Sequence, residues 1–573
     1  MEVCVCSVLL VCVCVYVTFQ LIRFITADAD FTLLWAAAVG KSPGVALRQK
    51  VVWITGASSG IGEELAYQLA AVGARLVLSA RRENELHRVR RKCLELSSLE
   101  EKDILVLPLD LLDRSTHGEK TDAVLQHFGK IDVLVNNSGR SQRSLFIDTD
   151  IDVFGSLMEL NYLGTISLTQ HVLRHMIRHG DGIIATVSSI VGLVGAPLST
   201  GYSASKHALQ GFFKSLRTEL TEYPNITIST ICPGPVVSQI VHNAFTEQVD
   251  KGHYYVDVCL LVCFRTLRMK GFFQRLAEGV ALRQKVVWIT GASSGIGEEL
   301  AYQLAAVGAR LVLSARRENE LHRVRRKCLE LSSLEEKDIL VLPLDLLDRS
   351  THGEKTDAVL QHFGKIDVLV NNGGRSQRSL FIDTDIDVFG SLMELNYLGT
   401  ISLTQHVLRH MIRHGDGIIA TVSSIVGLVG APLSTGYSAS KHALQGFFKS
   451  LRTELTEYPN ITISTICPGP VVSQIVHNAF TEQVDKPVSV AGDQTHKMST
   501  ERCVRLILAG LSNRVKEMWI AQQPFLLFFY LWQYTPTLAW YITNLLGRKR
   551  VQNFRAGLDA DAAYFTKLKA KSS

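Results

Sequence analysis

A tyrosine and a lysine four positions apart offer the first chemistry: Tyr202 and Lys206 in YSASK, with Ser188 and Ser189 upstream, and the same set again as Tyr437, Lys441, Ser423 and Ser424. Residues four apart on a helix share a face, so an ammonium can lie beside a phenol. A phenol is a poor acid at its ordinary pKa of about 10, and a nearby positive charge lowers it toward working pH. The pair can then give a proton to a substrate oxygen while a serine hydroxyl steadies the charge developing there. Such a spacing arises by chance roughly once in a chain of this length, so it gains meaning only from its company.

That company is ordered along the chain. TGASSGIG, Thr55 to Gly62 and again Thr290 to Gly297, follows a β-rich run and opens a helical pattern. In it Gly56, Ser58, Ser59, Gly60, Ile61 and Gly62, repeated as Gly291, Ser293, Ser294, Gly295, Ile296 and Gly297, form a tight turn. Its backbone amides and the helix N-terminus behind it can receive a pyrophosphate. The next run ends in SARR, which puts Arg81 and Arg82, and Arg316 and Arg317, where a site for an unmodified ribose would carry an acid. Arginine there suits a ribose phosphate and favours NADPH over NADH; the bland alternative is a pair of solvated arginines.

The elements that must position these groups are short apolar runs alternating with helical patterns: KVVWIT from Lys50, RLVLSA from Arg75, DILVLPLD from Asp103, IDVLVN from Ile131, GIIATVSS from Gly182 and ITISTICPG from Ile226. Strands apolar on both faces and separated by helices imply a doubly wound α/β fold with a parallel sheet. The whole set is present twice. Gly44 to Lys251 recurs as Gly279 to Lys486, 235 positions on, with one difference, Ser138 against Gly373. The second copy continues into a seventh strand candidate, KEMWIA, and an aromatic tail; the first runs into residues 252–278, which read as a linker.

Composition limits the remaining classes. With 573 residues, two cores are expected. A net charge of +6 with mixed signs gives no reason to invoke nucleic acid. Cys4, Cys6, Cys12 and Cys14 lie in an apolar run and lack histidine or carboxylate company, and His171, His175 and His179 fall on one helix face, so no metal is expected. Val3 to Ile25 is long enough to cross a bilayer and reads as an anchor in preference to a cleaved signal. The Phe, Leu, Trp and Tyr of Pro524 to Leu546 suit a segment resting on membrane lipid and roofing a lipophilic pocket.

Taken together, TGxxxGxG, NNxG, a serine thirteen residues before YxxxK, and PG after the sixth strand make both copies similar to the short-chain dehydrogenase/reductase family. The resemblance implies a catalytic set of Asn161, Ser189, Tyr202 and Lys206, and of Asn396, Ser424, Tyr437 and Lys441. It implies NADP(H) held also by Asp110 and Asn137, and by Asp345 and Asn372, with the asparagines Asn161 and Asn396 holding a relay water. It further implies reduction of lipophilic carbonyls (steroids, retinoids, xenobiotics) at the endoplasmic-reticulum membrane. Pairing through two long helices would make the copies an internal pseudo-dimer, or the chain a homodimer. The expected division is an anchor over 1–25, a first module over 44–251 lacking its C-terminal part, and a second module over 279–573 as the competent unit. The competing class is a non-catalytic, nucleotide-binding membrane scaffold.

Overall fold

The computed structural model describes residues 33–34, 38–40, 42–236, 240, 243–248, 282–486 and 497–557. Each repeat folds as its apolar runs direct. In the first module β1 (Val51–Thr55), α1 (Gly60–Ala71), β2 (Arg75–Ser79), α2 (Glu83–Glu95), β3 (Ile104–Val106), α3 (His117–Phe128) and β4 (Val133–Asn136) form one half. The other half is α4 (Ile151–Met158), α5 (Thr165–His179), β5 (Gly182–Val187), α6 (Thr200–Glu219) and β6 (Ile226–Ile231). The sheet is parallel throughout, in the order β3-β2-β1-β4-β5-β6. Crossover connections of this kind place helices on both faces, which is why the central strands are apolar without alternation. All five residues of β1 are buried, and its Trp53 donates from Nε1 to Ser79 Oγ at 2.8 Å.

The second module repeats the pattern as β7 (Val286–Thr290), α7 (Gly295–Ala306), β8 (Arg310–Ser314), α8 (Glu318–Glu330), β9 (Ile339–Val341), α9 (His352–Phe363) and β10 (Val368–Asn371). It continues through α10 (Ile386–Met393), α11 (Gly399–His414), β11 (Gly417–Val422), α12 (Thr435–Glu454) and β12 (Ile461–Pro468). Among the described residues, only the second module is followed by further elements: α13 (Thr500–Ser512), β13 (Glu517–Ile520), α14 (Phe525–Tyr534) and α15 (Pro536–Arg555). The expected seventh strand is β13, which pairs with β12 from Thr465 to Pro468 and extends the sheet to β13-β12-β11-β10-β7-β8-β9.

The modules pack along α6 and α12. Approach there is close enough that a Cβ on Gly211 would lie 2.5 Å from His442 Nδ1, and one on Gly446 2.5 Å from His207 Nδ1. Edge-to-face rings seal the contact, with Phe146 against Phe447 and Phe212 against Phe381, each at 4.8 Å between centroids. A single apolar core runs through both halves.

One expectation is overturned. Residence in the endoplasmic-reticulum membrane is corrected: among the described residues no helix is long and apolar enough to cross a membrane. The anchor expected over 1–25 and the linker over 252–278 lie outside the described residues. The aromatic tail turns part of its apolar surface onto protein: Phe529, Trp532 and Ala539 are buried against Ile425 and Val429, with Thr535 and Pro536 marking the break between two helices.

Candidate active site

Ser424, Tyr437 and Lys441 meet from separate elements. Ser424 leaves β11 and caps the turn Ile425–Gly427, its Oγ accepting from Val426 N at 3.3 Å. Tyr437 and Lys441 stand one turn apart near the start of α12. Lys441 Nζ lies 5.7 Å from the Tyr437 ring centroid and donates to Val422 O at 2.9 Å. The Ser424 hydroxyl donates to Pro468 O at 3.4 Å and lies near enough to the phenol to pull its pKa down. In the first module Ser189, Tyr202 and Lys206 adopt the same arrangement, with 5.8 Å from Lys206 Nζ to the Tyr202 ring and 2.9 Å to Val187 O.

Asn161 and Asn396 sit in π-helical breaks, Glu159–Gly164 and Glu394–Leu398, between the two helices that line each interface. Asn396 Oδ1 accepts from Arg375 N at 2.9 Å, and its Nδ2 donates to Arg375 O and Ser440 Oγ, both at 2.9 Å. Asn161 makes the equivalent bonds to Arg140 and Ser205. The side chain therefore braces a loop of backbone beside the site. Gly374 in that loop has to be glycine, because a Cβ would fall 2.8 Å from Asn396 Oδ1 and 3.6 Å from Lys441 Nζ.

The glycine-rich turn forms a cradle beside this cluster. Gly291 and Gly295 adopt positive φ, +65° and +57°, and a Cβ on Gly297 would lie 2.3 Å from Gly291 O. Asn372 Nδ2 ties the turn down by donating to Thr290 O at 3.1 Å and Gly291 O at 3.2 Å. Ser294 caps α7 without a side-chain bond to its amides. Asn137, Gly56 and Gly62 repeat these contacts in the first module. Arg317 Nη2 donates to Ser293 Oγ at 3.3 Å, as Arg82 does to Ser58 Oγ at 3.2 Å, while Arg81 and Arg316 are exposed at the rim. Asp345 Oδ1 accepts from Leu347 N at 3.0 Å, and Asp110 Oδ1 from Leu112 N at 3.1 Å.

In the second module a cleft of about 340 Å³ runs over Gly291, Ser294, Ile296, Arg316, Arg317 and Asp345. Next to it an apolar cavity of about 550 Å³ carries Ser424, Tyr437 and Lys441 in its wall and Phe525, Phe528 and Phe529 in its roof. The two share Ile296, Asn372, Gly374, Ser473 and Ile475, so one opens into the other.

A profile of the family described as short chain dehydrogenase matches residues 50–249 and again 285–484. The chain belongs to the short chain dehydrogenase family. Dehydrogenase/reductase SDR family member 7 of Homo sapiens is 62% identical over 290 residues, 51% of this chain and 86% of that protein. The SDR family protein 7-like dehydrogenase/reductase of Drosophila melanogaster is 36% identical over 258 residues, 45% of this chain and 79% of its own length. Among solved structures, the C-domain with NADP of bacterial malonyl-CoA reductase matches with a TM-score of 0.61 at 15% identity, covering 84% of this chain and all of that one. That likeness shows the fold: two Rossmann-type α/β units in one chain.

As a short chain dehydrogenase the protein is an NAD(P)-dependent oxidoreductase, and its residues fit a dinucleotide. The positive-φ glycines, the close approach at Gly297 and the uncapped amides of α7 make a concave, electropositive surface for a pyrophosphate. Burial pushes the Tyr437 phenol up to about 12, and the Ser424 hydroxyl and the Arg378 charge pull it back. Burial also pushes Lys441 down to about 8. The lysine lies over the ring face, while burial is the largest influence on the phenol.

Two contributors escaped the sequence reading. Thr290 Oγ1 accepts from Asn372 N at 2.9 Å and Gly373 N at 3.1 Å, fixing the strand ends that carry the cradle. Arg375 stacks 3.7 Å from the Phe480 ring centroid and donates to Asn478 O at 2.8 Å, holding the Ser473 to Asn478 loop across the cleft. Thr290 opens a motif that was quoted, so its role was available. Arg375 and Phe480 are far apart in sequence with no spacing to connect them.

Proposed function

We propose that the second module reduces carbonyl groups of lipophilic substrates to alcohols, with NADPH as the reductant. The observation that supports it is the opening of the Arg316 and Arg317 cleft into an apolar cavity that carries Ser424, Tyr437 and Lys441. A cavity of about 550 Å³ with a phenylalanine roof suits a retinoid or steroid skeleton. The cofactor, when bound, supplies a hydride to the carbonyl carbon. Ser424 and Tyr437 hold the carbonyl oxygen by hydrogen bonds, and Tyr437 gives it a proton as negative charge develops. Lys441 sits over the Tyr437 ring and steadies the phenolate left behind. Arg316 and Arg317 stand where a ribose 2′-phosphate would be read, with Arg317 oriented by Ser293. Burial raises the Tyr437 pKa, so the phenol carries the proton that it is to give.

Among the described residues the first module has the cradle and the tyrosine but no roof, so it binds cofactor with weak or no turnover. The two modules work as an internal pseudo-dimer, with two cofactors per chain. The test is NADPH oxidation by the purified chain with all-trans-retinal and with a ketosteroid. Loss of at least about 100-fold on Tyr437→Phe, with turnover kept in Tyr202→Phe, is expected from removing a general acid. Equal loss in both variants would overturn the assignment to the second module, and no consumption by the unaltered chain would overturn the reductase reading.

A further inference from the structure

We infer that Glu219, which belongs to the first module, is a positioning residue for the catalytic tyrosine of the second. Glu219 ends α6 and crosses the interface. Its Oε1 accepts from Leu433 N and its Oε2 from Phe381 N, both at 2.9 Å, and the carboxyl is buried. Both amides belong to segments that border the second module's site: Ala431 and Ser434 flank Leu433 in the cavity wall, and Ser376 and Arg378 line it a few residues before Phe381. Leu433 comes just before Ser434, the N-cap of α12, four residues ahead of Tyr437. Phe381 closes the loop that carries Gln377, whose Oε1 accepts from Gly436 N at 2.7 Å and Tyr437 N at 3.3 Å. One side chain thus clamps both segments that set where α12 begins.

The clamped segment is under strain, which gives the clamp something to do. Leu433 has φ +65°, in the left-handed region that a leucine enters only at a cost of about 1–2 kcal/mol. It is held there by the Glu219 bond and by packing with Leu380 and Val551. Ser215 adds a bond from Ala431 N to its Oγ at 3.2 Å. The mirror contacts exist: Glu454 accepts from Leu198 N at 3.0 Å and Phe146 N at 2.9 Å. Among the described residues, only the Glu219 side is tied to a substrate cavity, however. Arg217 lies 4.2 Å from the Trp540 ring centroid of the roof, Arg555 pairs with Glu222, and Arg550, which lines the cavity, acts electrostatically on Glu219. The first module is therefore the base on which the second module's site is built, whether or not its own site turns over.

The inference rests on the proposed reductase reading for its kinetic arm alone. Glu219→Ala removes both acceptors and Glu219→Gln removes one while keeping the shape. A graded fall in kcat is expected, about 100-fold for Ala and less for Gln, with NADPH affinity unchanged, because misplacement of about 1 Å costs turnover on that scale. Glu454→Ala loosens the same interface equally and leaves kcat as it was. An unchanged kcat in folded Glu219→Ala, or an equal fall in Glu454→Ala, overturns the inference. A second arm does not need turnover. The peptide running from Gly373 through Phe381 differs in mass from its twin carrying Ser138. In Glu219→Ala and Glu219→Gln its amide hydrogen exchange is expected to quicken while the twin's does not. Equal exchange in the two peptides overturns the inference even if no carbonyl substrate is found.

Discussion

Ile231 and Ile466 are the same residue of the same repeat, yet Ile231 is 45% exposed at a bare sheet edge and Ile466 is fully buried beneath β13. The difference spreads along the surface that the tail covers. Ile190 is 41% exposed against 5% for Ile425, and Val194 53% against 5% for Val429. Burying a whole aliphatic side chain stabilises by about 1.5–3 kcal/mol, so the tail brings several kcal/mol to the second module that the first lacks. It also roofs the cavity that carries Ser424, Tyr437 and Lys441.

Phe529 joins these two consequences, since it packs on Ile425 and Val429 and roofs the cavity. Phe529→Ala is expected to destabilise by about 3–5 kcal/mol and to raise KM for a bulky apolar carbonyl. Thermal melting and steady-state kinetics on the same preparation check both, and NADPH affinity should be unchanged.

Cofactor choice should rest on the rim. Arg316→Ala combined with Arg317→Ala removes two of the three guanidiniums that line the cleft, leaving Arg375, and is expected to lower kcat/KM for NADPH about tenfold or more while leaving NADH nearly unaffected. Charge-assisted bonds of about 1.5–3 kcal/mol set that scale. An unchanged preference ratio would assign the arginines to solvent.

The buried carboxyls at the interface give stability a pH dependence. Burial pushes Glu219 up to about 8 and Glu454 up to about 7, against the neighbouring amides that pull them down; Asp383 adds to the first and Asp148 to the second, while Arg550 opposes at Glu219. The folded chain then keeps protons that the unfolded chain releases above about pH 4.5, so these groups stabilise fully below that value. Their contribution is lost as pH rises toward 7 and 8. His207, pushed down to about 3, and His442, also lowered, act with the opposite sign in more acidic solution. The chain carrying Glu219→Gln and Glu454→Gln together isolates the effect: its melting temperature relative to the unaltered chain should rise between pH 5 and pH 8. A constant difference would mean that the carboxyls are ionised throughout.

Local motifs carried most of what could be read in advance. The turn at Thr290 to Gly297 and the YSASK helix announce themselves because their residues act within a few positions of one another. Extent was less legible, since identical residues ITISTICP give a strand ending at Ile231 in one copy and at Pro468 in the other, depending on whether β13 lies alongside. In the aromatic tail, composition alone did not show which residues face protein: Phe529 and Trp532 are buried while Tyr534 and Tyr541 are exposed. Glu219 had no signal at all: its partners are 162 and 214 residues away, in another copy of the same sequence.

The interface of α6 with α12 has a thermodynamic consequence. Its two surfaces ride on one polypeptide, so they meet as an intramolecular event at an effective concentration fixed by the chain. A two-subunit enzyme loses its partner on dilution, and its specific activity falls with it. Here the partner cannot leave, and the site that Glu219 supports survives at concentrations where separate subunits would part.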